Sequence, residues 1–458
     1  MTFDEKLKAR AAREGSPIPE GFDSRMDALL DTLPAEVQPA KKRRAPRLAV
    51  CIGIAAAMVV GAAAAPTVLE MARNSIGYFG QNSGSEYADY QGKYEKYNAA
   101  VGMSDTNGDQ TLTIDNIAVD DSYLIIFSTL KSEKPLELRD GEYATLSTRI
   151  KWTAPNFFAE INGELLDTTG PIEKEARLVD EYTLTSVQRI ALKELLPDQF
   201  DLLLFDGGTS DISQSDFQFE MSVDKSAVAV ETLTVEPKQD CTVDISAEYQ
   251  GEPIHLHYEP RIERVSISPF GSTITLSEAA VDPLTNFVLR DDKGNYLPVL
   301  YTGSVGNSIG RSTNSFEFLG ADLDTKSVTL IPYLDEGRAH EVTGSLDKLP
   351  LTDDSENGFT LERLEIGEKQ ATATFSFRGA MNYCNAQFSL LLADGTPLDH
   401  LAECYMDFSY DRENALCITT IEYPDATPEQ LSQITDVSFW QPNELTLLED
   451  QAVTIDLQ

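Results

Sequence analysis

The stretch Thr111–Leu130, TLTIDNIAVDDSYLIIFSTL, decides the fold class of this 458-residue chain. It contains two runs rich in Ile, Val, Thr and Phe, Thr111–Val119 and Tyr123–Leu130, separated by a polar segment at residues 120–122. β-Branched and aromatic residues that alternate in two runs around a turn segment are typical of a β-hairpin. The stretch therefore predicts two antiparallel strands.

Similar short runs continue to the C-terminus and recur at intervals of roughly 8–12 residues, a spacing typical of antiparallel β-sandwiches. Segments that contain proline interrupt the pattern near residues 237 and 350. We predict a mainly β fold with three sandwich modules at residues 105–232, 238–346 and 352–458. Helices are few in this pattern, and the clearest are predicted at Ser186–Leu196 and Pro428–Ile434.

N-terminal to these modules, Leu48–Leu69 (LAVCIGIAAAMVVGAAAAPTVL) contains no charged residue. As a helix rising ~1.5 Å per residue, it would span ~33 Å, enough for a bilayer core of ~30 Å. A single transmembrane helix at 48–69 is therefore the preferred interpretation. The small residues Ala62–Ala65 keep a cleaved signal peptide open as an alternative, although such a peptide places its charged region within the first few residues.

Charge is distributed unequally around this run. The chain has a net charge of −39, yet residues 1–47 carry ten basic and eight acidic residues, so the acidic excess lies entirely after them. Five of the basic residues directly precede the run, and the positive-inside rule keeps such a segment in the cytoplasm. The sequence predicts a cell-membrane protein with a cytoplasmic N-terminus and an extracytoplasmic C-terminal region. Nucleic acid is excluded as an outside partner because like charges repel.

The predicted cytoplasmic tail, residues 1–47, contains one short amphipathic helix at Phe22–Leu33. Its apolar residues recur at helical spacing and form a single stripe. The stripe either lies on the inner leaflet, or frays in water, or docks into the groove of a cytoplasmic partner. The last interpretation makes the stripe a partner-binding site, formed by Phe22, Met26, Leu29, Leu30 and Leu33.

Residues 70–104 are predicted to join the membrane to the first module. Within them, Ser85–Val101 places four tyrosines at helical spacing. An aromatic stripe of this kind indicates a helix that packs against the first module.

Three of the five cysteines, Cys384, Cys404 and Cys417, lie in the predicted third module. Disulfides persist outside the cytoplasm, so we predict one bridge among these three. The spacing of the three cysteines does not show which two of them form the bridge.

Chemical motifs are scarce. His255, His257 and Glu259 alternate along one strand face, the residue types of a two-histidine-one-carboxylate metal set, but three residues at this spacing are common by chance and a solvated strand face is the preferred interpretation. Asp105–Asp109 is similar to the start of a calcium loop but has Gln110 where that loop needs glycine, so an Asn-Gly turn is preferred. No nucleophile–base set, P-loop or HExxH helix is present. The sequence predicts neither an enzyme nor a bound cofactor.

Three passages resemble a group of bacterial, mostly Gram-positive, single-pass membrane proteins built on a domain of unknown function. They are Ile18–Leu33, the basic block before the apolar run, and Asn107–Lys134. Ile262–Gly271 and Asp291–Gly294 resemble the immunoglobulin-like domain that often follows in this group. The resemblance implies a protein similar to anti-sigma factors, with a sigma factor of the extracytoplasmic-function type as the cytoplasmic partner.

Together these observations predict a transmembrane signalling regulator with an acidic extracytoplasmic region that senses or binds an unknown ligand. The alternative is a cell-surface binding or structural module whose tail only sets topology. An ecto-enzyme is the third candidate and has no catalytic motif to support it.

Overall fold

The computed structural model describes residues 99–458 except for 140–143, 145, 167–172, 208–211, 229–230, 250–251, 269–270, 279–283, 306–311, 336, 338, 383–384 and 412–413. Antiparallel strands dominate this part of the chain. They form three two-layer sandwiches, each built around its own apolar core.

The first sandwich comprises a five-stranded sheet, in the order β1-β2-β3-β7-β6, and a four-stranded sheet, β5-β4-β8-β9. Its strands are β1 Ala99–Asn107, β2 Gln110–Val119, β3 Tyr123–Ser132, β4 Phe157–Ile161, β5 Glu164–Leu165, β6 Glu173–Asp180, β7 Thr183–Ala191, β8 Gln199–Asp206 and β9 Phe217–Asp224. Most residues of the strands β2 and β3 are buried, as their runs of Ile, Leu and Val require. The predicted hairpin is thereby confirmed, and Gly108, with φ of +63°, turns the chain between β1 and β2.

The second sandwich carries sheets in the orders β10-β14-β15-β19-β18, with β11 beside β14, and β17-β16-β20-β28, with β29 beside β20. Its strands up to residue 335 are β10 Leu233–Val235, β11 Gln239–Asp240, β12 Val243–Tyr249, β13 Glu252–Tyr258, β14 Arg261–Ile267, β15 Ser272–Glu278, β16 Phe287–Asp291, β17 Tyr296–Leu297, β18 Val299–Val305, β19 Ser312–Phe318 and β20 Ser327–Asp335. Strands β12 and β13 pair only with each other and form a separate hairpin.

The third sandwich packs the sheet β21-β27-β24 against the sheet β22-β23-β26-β25. Its strands are β21 His340–Ser345, β22 Gly358–Ile366, β23 Gln370–Arg378, β24 Phe388–Leu392, β25 Tyr405–Asp411, β26 Leu416–Glu422 and β27 Ile434–Gln441.

The chain then returns to the second sandwich, although the sequence places these residues in the 352–458 module. Strands β28 Leu445–Leu447 and β29 Val453–Asp456 both pair with β20. Ile455 and Leu457 are buried in the second core, so this core is completed by residues that follow the whole third sandwich.

Helices are short in the described residues. They are α1 Leu146–Thr153, α2 Lys225–Val228 and α3 Pro428–Leu431, with 3₁₀ turns at Ile212–Gln214, Leu346–Lys348, Leu398–His400 and Glu449–Gln451. The predicted helix at Pro428 is confirmed in its first turn, where Thr427 and Gln430 form a capping box. The helix predicted at Ser186–Leu196 is wrong: these residues belong largely to β7, which is paired on both sides and buried.

The predicted fold class is also wrong as stated, because it included a membrane-spanning helix. Within the residues that the structure describes, no helix is long and apolar enough to cross a membrane. The longest, α1, has eight residues and therefore spans only ~12 Å. The segment Leu48–Leu69 lies outside the described residues, as do the tail 1–47 and the Tyr-rich segment up to residue 98. The mainly β architecture with few helices is as predicted.

Candidate functional site

Most of the predicted site residues lie outside the part of the chain that the structure describes. The five apolar residues of the tail, Phe22, Met26, Leu29, Leu30 and Leu33, lie outside the described part of the chain, and so does Cys384. The partner-binding role of the tail stays a prediction.

Cys404 and Cys417 are described, and no disulfide joins them. Cys417 on β26 lies opposite Tyr410 on β25. Cys404 directly precedes β25 and lies six residues before Tyr410. At ~3.3 Å per residue the two cysteines are ~20 Å apart, and a disulfide needs Cα atoms within ~7 Å. Of the three predicted pairings, only the two that involve Cys384 remain.

The most elaborate polar cluster of the described residues lies where the first sandwich meets the second. It begins at the turn between β2 and β3. Asp120 is only 1% exposed, and its Oδ1 accepts hydrogen bonds from the backbone N–H groups of Ser122 (2.6 Å) and Tyr123 (2.5 Å). These two bonds are those of an aspartate that closes a tight turn, which explains why an acidic residue follows β2.

The second oxygen of the same carboxylate faces the other sandwich. Asp120 Oδ2 accepts a hydrogen bond from the hydroxyl of Ser268, at the end of β14. Beside it, the hydroxyls of Ser122 and Thr273 share a hydrogen bond of 2.8 Å, and Arg264 Nη2 donates to the carbonyl of Leu192 at 2.5 Å. Each of these bonds joins one residue of the first sandwich to one of the second.

An ion pair lies beside these bonds. Arg189 on β7 donates from Nη2 and Nη1 to the two carboxylate oxygens of Glu317 on β19, at 2.9 and 3.3 Å. The Arg189 side chain is 8% exposed and the Glu317 side chain is fully buried. The guanidinium carbon also lies 4.4 Å from the ring centroid of Tyr123, a cation–π distance.

Glycine at position 271 makes room for the ion pair. Gly271 has φ of +142°, and a Cβ atom there would lie 2.6 Å from Glu317 Oε1 and 3.3 Å from Arg189 Nη1. We name the whole contact the joint; its residues are Asp120, Ser122, Tyr123, Arg189 and Leu192 of the first sandwich and Arg264, Ser268, Gly271, Thr273 and Glu317 of the second.

Burial sets the electrostatics of the joint. Removal from water raises the pKa of Asp120 from its ordinary value to about 6. The hydrogen bonds that the carboxylate accepts, and the positive charge of Arg189, act in the opposite direction. Asp120 therefore changes its charge near pH 6, at a contact between two folded units.

The predicted histidine cluster occupies the β12–β13 hairpin. Asp244 Oδ1 lies 2.6 Å from His257 Nδ1 and 3.6 Å from His255 Nε2, while Glu259 Oε1 lies 3.6 Å from His257 Nε2. All four side chains are about half exposed or more. The hydrogen bond to Asp244 raises the pKa of His257.

Asp244 stands opposite His257 on the neighbouring strand, so only the strand register could have revealed it. No group of three His, Cys, Asp or Glu side chains among the described residues is arranged to hold a metal ion. The hairpin presents these four side chains on a charged, exposed surface.

Sequence reasoning did not identify the joint. Its one visible signal is that charged residues interrupt apolar runs, as Arg189 does in SVQRIAL and Glu317 in NSFEFLG. A charge inside a strand that is otherwise apolar is buried only with a partner, and the partner lies in a different sandwich.

Comparison with known proteins gives limited information. No curated protein matches the chain. A solved structure, a conserved domain protein from Bacillus anthracis, is 12% identical and covers 80% of this chain and 93% of its own, with a TM-score of 0.35. The N-terminal eight immunoglobulin domains of Down Syndrome Cell Adhesion Molecule are 10% identical, covering 78% of this chain and 41% of their own, with a TM-score of 0.14.

A family model matches part of the chain. The matched residues, 40–132, include β1, β2, β3 and the Asp120 turn of the joint. Over this stretch the chain is similar to the family described as Domain of unknown function (DUF4179).

Proposed function

We propose that residues 99–458 are the extracytoplasmic sensing or binding region of a signalling regulator similar to anti-sigma factors. In this proposal the protein is located at the cell membrane. Residues 1–47 lie in the cytoplasm, where the stripe from Phe22 to Leu33 holds a sigma factor. The ligand outside the cell is unknown.

The joint is the observation that supports this proposal most directly. A sensing region must convey an event at a distant surface to the part of the chain that leads to the cytoplasm. The first sandwich directly follows the N-terminal part, and the joint fastens it to the second sandwich through a buried ion pair and three further hydrogen bonds. Displacement of the second sandwich would therefore move the first.

A further contact extends the same coupling to the third sandwich. Lys151 on α1 lies 3.0 Å from Asp407 on β25 and 3.7 Å from Glu175 on β6. The backbone N–H of Leu146, at the start of α1, donates to Glu422 at 2.9 Å. Helix α1 thus joins the first and third sandwiches, and all three can respond as one body.

The experiment is a transcription assay in the host cell. The full chain is expressed with each extracytoplasmic-function sigma factor of that host, and transcription from the matching promoter is measured. The proposal expects one sigma factor to be inhibited by the full chain and released when residues 1–47 are deleted. Unchanged transcription for every sigma factor would overturn the signalling role.

The second candidate function is a cell-surface binding or structural module whose tail only sets topology. The same contacts favour it, because three sandwiches held together by such contacts also suit display. Protease added to intact spheroplasts tests the location that both candidates share: residues 99–458 should be digested and an N-terminal epitope spared. If residues 99–458 are exposed at the cell surface and deletion of residues 1–47 leaves transcription unchanged, this second function is preferred.

A further inference from the structure

We infer that the joint is operated by a proton: binding of one proton at Asp120 favours the closed contact between the first two sandwiches, and its release weakens that contact. The inference adds a mode of regulation to the proposed sensing region and rests on that proposal for its biological role. The joint itself can be tested without it.

Geometry places Asp120 where a change of charge must act on the contact. Its Oδ1 is held by the N–H groups of its own turn, so the carboxylate stays in position whether or not the sandwiches touch. Its Oδ2 instead meets the Ser268 hydroxyl of the other sandwich. Only the closed joint therefore covers this oxygen with protein, and only there does it lose water.

The charged side chains near Asp120 form hydrogen bonds and ion pairs with other groups. Arg189, on β7, is already bound through both terminal nitrogens to the carboxylate of Glu317 on β19. Arg264, on β14, donates to the carbonyl of Leu192. Asp121, the next residue in the turn, is paired with Lys225 of α2 at 2.7 Å. Asp120, Asp121 and Glu317 thus equal Arg189, Arg264 and Lys225 in number, but the hydrogen bonds to Asp120 come from a hydroxyl and two backbone N–H groups and not from a cation.

A proton removes that charge and preserves the hydrogen bonds. A protonated carboxyl can donate to the Ser268 oxygen while Oδ1 continues to accept from the turn. In the open state water reaches Oδ2 and the turn still holds Oδ1, so the pKa of the carboxyl is near its ordinary value of about 4 or below it, whereas burial raises the pKa of Asp120 to about 6 in the closed state.

The direction of the effect follows from these two values. Because the closed state holds the proton more tightly, the ratio of closed to open joints rises as the pH falls from about 6 to about 4. A difference of about two pH units corresponds to a change of roughly 100-fold in that ratio. Acid strengthens the joint, and a rise in pH through about 6 weakens it.

Hydrogen exchange of the full chain, followed by mass spectrometry between pH 7.5 and 4.5 and corrected for intrinsic exchange rates, measures the joint directly. In the wild type, protection of the segments around Tyr123 and Ser268 should increase as the pH falls. In Asp120→Asn, which is permanently neutral, protection should no longer depend on pH. A wild type without this dependence, or an Asp120→Asn variant that retains it, would overturn the inference.

Asp115 provides a matched control. Burial also raises the pKa of this aspartate to about 6, but its carboxylate accepts a hydrogen bond from Thr129 within the first sandwich. Asp115→Asn should therefore keep the pH response of the joint. If Asp120→Asn does not fold, Ser268→Ala takes its place: it removes a hydrogen bond that lowers the pKa of the buried Asp120, and it should therefore enlarge the pH response of the joint.

The transcription assay separates the two proposals. A pH-dependent joint in a chain that affects no sigma factor would overturn the proposed function and leave the proton-operated joint standing. Inhibition of a sigma factor by a chain with a pH-independent joint would do the reverse.

Discussion

Arg189 and Glu317 face each other across two separately folded sandwiches, with Nη2 of the arginine 2.9 Å from Oε2 of the glutamate. Both side chains lie almost out of reach of water. Removing one member of a buried ion pair lowers the free energy of unfolding strongly, whereas the intact pair stabilises a protein little more than apolar residues of the same volume would. The pair therefore defines how the sandwiches dock more than how strongly they do so.

The first prediction concerns this pair. Glu317→Gln removes the carboxylate that faces the buried Arg189 charge and should lower the free energy of unfolding by about 3–5 kcal/mol. The double variant Arg189→Met/Glu317→Met removes both charges and should recover most of that loss. Urea unfolding of the three proteins measures it, and equal losses in the single and double variants would contradict the account.

The second prediction concerns Gly271. Gly271→Ala combines an unfavourable φ of +142° with a Cβ atom 2.6 Å from Glu317 Oε1. Gly294→Ala is the control, because Gly294 also has a positive φ (+87°) but nothing within 4 Å of a Cβ atom. The control should lose about 1 kcal/mol through backbone strain. The Gly271 variant should lose at least twice as much in the same urea titration.

A third prediction runs in the stabilising direction. Asn314 on β19 is 1% exposed, and neither Nδ2 nor Oδ1 has a hydrogen-bond partner. Because burying an amide without partners costs about 1–3 kcal/mol, Asn314→Leu should raise the melting temperature.

Gln188 is the matched control for Asn314. It is equally buried, but its amide bonds both the N–H and the carbonyl of Phe157, at 2.8 and 2.6 Å. Gln188→Leu should therefore lower the melting temperature. If both variants shift the melting temperature in the same direction in a thermal scan, the hydrogen bonds of the buried amide do not determine the sign of the shift.

Oxidation gives the fourth prediction. The distance between Cys404 and Cys417 leaves Cys384 as a partner in any bridge within the third sandwich. Mass spectrometry of non-reduced peptides should show a peptide containing Cys384 linked to one of these two cysteines. A bridge between Cys404 and Cys417 would contradict the strand register. Three free thiols would reject the predicted disulfide.

The fifth prediction tests the tail. If Phe22–Leu33 docks as a helix, Met26 and Leu29 are its central anchors, and burial of such side chains contributes about 1.5–3 kcal/mol each. Met26→Ala/Leu29→Ala in a peptide of residues 1–47 should weaken capture of a cytosolic protein by roughly two to three orders of magnitude. Changes at Arg25 and Asp31, on the polar side, should matter much less. Equal capture by the wild-type and double-variant peptides would contradict the docked helix.

Local pattern was sufficient for much of the fold. The alternation of residues in Thr111–Leu130 predicted β2 and β3 because the residues within each segment are sufficient to favour a strand there. It failed at Ser186–Leu196, where tertiary pairing on both sides of β7 overrode a helical spacing of apolar residues.

The site was harder to predict, since its residues are distant in sequence. Asp120 was recognised only as part of a turn, and nothing near it indicates Ser268. Asp244 was missed beside His257 for the same reason: a cross-strand neighbour is fixed by register, which a single sequence does not specify.

The return of β29 to β20 has a consequence for the order of folding. Val328 meets Ile455 only after every residue of the third sandwich has been synthesised. The second sandwich must therefore wait, incomplete, while the unit that interrupts it is produced and folds. During that interval the first sandwich, already finished, presents Asp120, Ser122 and Arg189 at its docking surface. Such a polar surface tolerates water, so the docking surface of the first sandwich is not an adhesive apolar patch during the delay.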